Sequence, residues 1–254
     1  GGIFVSTQGT SASATLSNLT VDNNSSDGSG GGIYVDNFSG GSFTIQDSTI
    51  SNNSTTGAHS TGSTGSNSGG GINIRGTNAT DANVTILQST ISGNTTDSAG
   101  GGIYLADRGT NSVINIDHST ITDNTAQFGG GIFLNDQGAD INLSHTIVAG
   151  NTASSAETQD EDLGIVSSFV SQGTAQASYS FIGVDNGLTT NVAGSVLSGG
   201  DPMLAALADN GGPTPTIALL PDSPAIDTGS NPNNLETDQR GTGFSRVAGA
   251  ATDI

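Results

Sequence analysis

Few residues in the chain have the types and spacing for chemistry. Asp107 and Asp136 each stand four positions after an isoleucine that follows three glycines (Ile103 and Ile132), and Arg108 follows the first of them. Asn37 holds the same place after Ile33. Two carboxylates and a guanidinium are the inventory of an acidic-polysaccharide lyase or hydrolase: one carboxylate trades a proton, the arginine faces a uronate, and the acid pair is a place for Ca²⁺. Solvated turn aspartates are the favoured reading of the same spacing. His118 and His145 also share a place, two residues after Ile116 and Leu143, where other repeats carry Asn18, Asp47 and Gln88. That set reads as a polar corner rather than a catalytic pair. No Ser/His/Asp spacing stands out, and no helical pattern follows the glycine runs, which argues against a dinucleotide loop.

The wider composition narrows the function classes. The 4 basic residues, all arginine, face 23 acidic ones, for a net charge of -19. Binding nucleic acid through its phosphates needs the opposite sign, and so does adhesion to anionic lipid. With no cysteine there are no disulfides and no thiolate zinc sites. No apolar run is long enough for a transmembrane helix.

The elements that must position these residues come from repeats. Gly30–Val35, Gly69–Ile74, Gly100–Leu105 and Gly129–Leu134 are copies of one segment, and Gly1–Val5 is a truncated first copy. The isoleucines at 3, 33, 72, 103 and 132 are 30, 39, 31 and 29 residues apart. Ser48–Asn53, Ser89–Asn94 and Ser119–Asn124 form a second series, preceded by the apolar pairs Phe43/Ile45, Val84/Ile86 and Ile114/Ile116. Each unit of about 30 residues therefore holds three short alternating β segments. Such a unit cannot bury its apolar face alone, whereas stacked units can, each strand pairing in parallel with its copy in the next rung. The long second step contains an insert, Ser54 to Asn67, expected as a loop on one face.

Alternation sends Ile33 and Val35 inward and Tyr34 outward. The outward column is Phe4, Tyr34, Asn73, Tyr104 and Phe133, an aromatic ladder suited to a protein partner or to sugar rings. The alternative is that part of the C-terminal third covers it. A second column, Asn24, Asn53, Asn94, Asn124 and Asn151, falls in the turn after the third strand, where stacked amides would bond one another along the axis. Sequons at Asn18, Asn37, Asn78, Asn83 and Asn142 are of the kind that arise by chance in so Asn- and Ser/Thr-rich a chain.

Beyond Asn151 the repeat fades, and all 6 prolines lie after residue 200, where they cannot continue a ladder. The reading is residues 1–152 as regular coils and 153–254 as irregular coils and a turn-rich cap, within one continuous solenoid. The C-terminal strings Asp209–Thr216, Ala218–Gly229, Asp238–Gly241 and the closing Asp253-Ile254, with the GGGI and STISGN repeats, resemble bacterial parallel β-helix proteins of the "choice-of-anchor" type. The resemblance spans nearly the whole chain. It implies an all-β, right-handed parallel β-helix and a secreted or surface location, and it suggests a segment of something longer. Two function classes follow. One is a non-enzymatic extracellular structural protein (stalk, adhesin or filament subunit) that self-associates or joins upstream coils. The other is a lyase or hydrolase on an acidic glycan, or a glycan-binding module. No organic cofactor is expected, and the one cation considered is Ca²⁺ at Asp107 and Asp136.

Overall fold

The computed structural model describes residues 1–6, 13–38, 41–56, 67–76, 83–106, 112–135, 139–155, 161–165, 174–184, 190–191 and 197–254. Isoleucine-led copies form the first sheet: Ile3–Ser6, Ile33–Phe38, Ile72–Gly76, Ile103–Ala106, Ile132–Leu134 and Leu163–Ile165, in chain order and all parallel. The second sheet runs Ser13–Ser17, Ser42–Gln46, Asn83–Leu87, Val113–Asp117, Asp140–Ser144, Ala175–Ser178 and Thr190–Asn191. The third runs Thr20–Asp22, Thr49–Ser51, Thr90–Ser92, Thr120–Thr122, Ile147–Val148, Phe181–Ile182 and Leu197–Ser198. The described residues form a parallel β-solenoid with no helix.

The repeat has a fourth strand that the three-segment reading omits: Ser25–Ser26, Ser54–Thr55, Thr95–Thr96, Thr125–Ala126 and Thr152–Ala153 make a sheet of their own. Each is two residues long and mostly hydroxylic, too short to show an alternation. What marks it is the preceding asparagine, whose turn feeds it.

The apolar inward columns set the register, which shifts once in the first sheet, between Val35 and Phe38. Ile33 pairs with Ile72, and Ile72 with Ile103. Ile45 pairs with Ile86, and Ile86 with Ile116. These side chains are buried in one core that runs the length of the solenoid, and a slip of one residue would turn every one of them outward. The three glycines at each corner have separate reasons. At Gly69 φ is +76°, a region that side chains other than Asn, Asp and Gly rarely enter. A Cβ on Gly70 would lie 2.5 Å from the Thr95 oxygen and 2.6 Å from that of Gly101, so the rungs stack there only without one.

Parallel pairing continues beyond residue 152, through 163–165, 175–178, 181–182, 190–191 and 197–198. From residue 201 the chain makes only isolated antiparallel bridges, such as Leu204 with Leu219 and Thr237 with Ser245. It lies as a strap along the side of the solenoid. Its Ala225 and Ile254 pack on Ile147, Ala149 and Phe181, with Leu204 and Leu219 beside them. The outward column of the third sheet shows why it docks there: Thr49, Thr90 and Thr120 give way to Ile147 and Phe181. The outward residues turn apolar where the strap's own apolar residues cover them.

Candidate functional site

The corner between the second and third sheets positions the one group of potential metal ligands among the described residues. Asn18, Asp47, Gln88, His118, His145 and Tyr179 occupy it in successive rungs, each with φ between 45° and 54°. This left-handed conformation turns the backbone sharply, and Asn or Asp tolerates it best. The following residue carries a hydroxyl. Ser48, Ser89, Ser119, Thr146 and Ser180 each donate to the carbonyl two residues back, at 2.7–2.9 Å. Each also accepts the backbone N–H of its counterpart in the preceding rung, from Leu19 through Thr146. The hydroxyls thus bridge rungs where the backbone ladder is interrupted by the turn.

On that corner His118 and His145 stack with ring centroids 4.5 Å apart and planes 16° from parallel, and Tyr179 stacks on the far side of His145 at 5.5 Å. Both Nδ1 atoms turn to one oxygen of Asp117: His118 Nδ1 is 2.8 Å from Oδ1 and His145 Nδ1 3.0 Å. The other Asp117 oxygen accepts Asn233 Nδ2 at 2.7 Å, and His145 Nε2 is 2.7 Å from Ser230 Oγ. Asn233 and Ser230 belong to the strap, so the cluster ties strap to solenoid. His118 is fully buried as a side chain; its Nδ1 faces only Asp117, and its Nε2 has no hydrogen-bond partner among the described residues. Burial alone would raise the Asp117 carboxyl; the hydrogen bonds and charges of the two histidines outweigh it and hold it far below the ordinary carboxylate range. Burial pushes the His118 imidazole down, Asp117 opposes this, and the charge of Arg246 adds to it.

Ser230, His145 and Asp117 share the connectivity of a nucleophile–base–acid chain. They differ from one in that a second imidazole shares the acid's oxygen. Long-range docking assembles this group: the bonded positions lie 85 and 116 residues apart, so only the histidine column was visible in the sequence.

The asparagines form an unbroken ladder. Asn24 donates from both N and Nδ2 to Asn53 Oδ1, each at 3.0 Å, and the same pair of bonds recurs from Asn53 to Asn94, Asn94 to Asn124 and Asn124 to Asn151. Asn151 makes both bonds to Asp162 Oδ1. Asp162 is an end rung that the repeat did not reveal, because it follows a break in spacing. Its other oxygen accepts the Val184 N–H. Burial pushes its carboxyl up against those bonds.

The aromatic column is not an exposed ladder, which corrects the expectation of an open contact face along its length. Tyr104 is 0% and Phe133 2% exposed; they stack at 6.0 Å under Ala99 and Phe128. The covering residues come from the corners that precede the glycine triplets, and the strap lies on the other side, over the third sheet. Asn73 is buried too, donating to the Ser68 carbonyl. Phe4, 64% exposed, and half-buried Tyr34 remain accessible, 5.6 Å apart. Arg75 donates to the Tyr34 hydroxyl, which donates to Asp36. Asp107, Arg108 and Asp136 lie outside the described residues, as does most of the 54–67 insert.

Residues 1–181 match the family model described as a right handed beta helix region. No curated protein and no solved structure matches the chain.

Proposed function

Because the chain belongs to the right-handed β-helix family, we propose that it is a non-enzymatic structural solenoid of the extracellular space or cell surface, a stalk, adhesin or filament subunit of the choice-of-anchor kind. The observation that carries this reading is the axial use of polar side chains. Asparagines, serines and threonines bond the rung above or below along two separate columns, and the strap fastens several rungs at once. Gln239 alone donates to Ser48 O and Thr49 Oγ1, and accepts from Thr90 Oγ1. Groups engaged in this way give axial cohesion and are not free to meet a ligand. An acidic, hydroxyl-rich surface suits an extracellular setting, and Phe4 with Tyr34 offers an aromatic contact for a second copy or a glycan.

The family includes room for glycan-acting enzymes, so the test is turnover. Purified chain incubated with a panel of acidic polysaccharides is expected to release no more reducing ends than its Asp107→Ala variant. Release that disappears in Asp107→Ala would establish the lyase or hydrolase reading instead, with Asp107, Arg108 and Asp136 as the groups to pursue.

A further inference from the structure

Asp117, His118 and His145 bring one carboxylate oxygen and two imidazole nitrogens within 4.8 Å of one another, and we propose that they bind a divalent transition metal of the Zn²⁺ class that staples the strap to the solenoid. Two neutral imidazoles and a carboxylate are a recurrent donor set for such ions, whereas Ca²⁺ takes oxygen alone. The burial of His118 is the second observation: its Nδ1 meets only the Asp117 oxygen, at 2.8 Å, and its buried Nε2 has no hydrogen-bond partner among the described residues. Stacking on His145 and Tyr179 fixes both rings, so the Nδ1 edges stay turned to the same point.

The surroundings are those of a supported site. In the loaded state His145 carries its proton on Nε2 and donates it to Ser230 Oγ, while Asn233 holds the Asp117 oxygen that faces away from the rings. Partners of this kind set ligand tautomer and orientation. Asp117 keeps 15% of its side chain exposed, which leaves one side for entry of the ion and for its remaining ligands. The metal role excludes the serine-nucleophile role, since Nδ1 of His145 cannot hold a metal while the ring acts as a base oriented by Asp117.

The test uses the full chain, stripped of metal with EDTA and titrated with Zn²⁺ by calorimetry, with Co²⁺ as the spectroscopic probe. One equivalent is expected to bind, with a rise in the thermal midpoint and a Co²⁺ spectrum of nitrogen and oxygen ligation. His118→Ala and His145→Gln should each weaken binding at least ~10-fold, and Ser230→Ala about 10-fold as the loss of an orienting partner. His59→Ala, which removes the remaining histidine, should leave it unchanged. Absence of saturable Zn²⁺ binding in the unmodified chain overturns the proposal, whatever the variants do. So does binding that survives loss of both His118 and His145, or covalent labelling of Ser230 by a fluorophosphonate.

Discussion

Burial and the Arg246 guanidinium lower the His118 imidazole from its ordinary 6.5, so the unfolded chain takes up that proton at a higher pH than the folded one does. Wherever the unfolded state binds more protons, stability falls as pH falls. The melting temperature is therefore expected to drop as pH is lowered from about 6.5 to 5, and His118→Gln should flatten that part of the profile. Asp117, held far below its ordinary 3.8, extends the decline at lower pH, since its contribution is complete only above that value. Asp47 and Asp162 are raised by burial and act in the opposite sense, so the difference between the unmodified chain and His118→Gln is what isolates the histidine. Scanning calorimetry across pH measures this. A profile unchanged by His118→Gln would contradict the environment described for the ring. The sequence showed His118 and His145 sharing a column and a corner. It could not show Asp117, Ser230 and Asn233 meeting them, because that meeting depends on where a strap with no repeat of its own is laid down.

At the scale of elements, the asparagine ladder is the most exacting piece of polar packing. Asn94 Oδ1 takes two bonds from Asn53, and Asn94 Nδ2 gives bonds to Ile50 O and Asn124 Oδ1. Asn94→Ala leaves these groups buried and unpaired, each worth about 1–3 kcal/mol. The expected loss is about 3 kcal/mol in urea unfolding, against a few tenths for Thr85→Ala on the half-exposed face of the second sheet. An equal effect of both would show that the ladder carries no special load. The strands themselves were legible because Ile, Val and Leu recur at fixed offsets, and the asparagine turn because one residue type recurs in one place. The two-residue strands after it were not, and neither was the hydroxyl ladder, since serine and threonine are everywhere in this chain. The aromatic column was placed correctly as the outward set, yet Ala99 and Phe128 bury half of it. Those covering residues belong to a corner that carries no apolar pattern.

At the scale of the molecule, the solenoid is a stack whose polar side chains are directed along its own axis and whose strap runs across the rungs. Under the proposed structural role, such a stack would carry tension through many parallel ladders at once, the negative charge would oppose non-specific association, and Phe4 with Tyr34 would offer the contact between copies. The most direct measurement is electron microscopy of the purified chain at several concentrations. The account predicts elongated rods that join into longer assemblies as concentration rises. A uniform field of single particles at every concentration, from a chain that also cleaves an acidic polysaccharide, would contradict it.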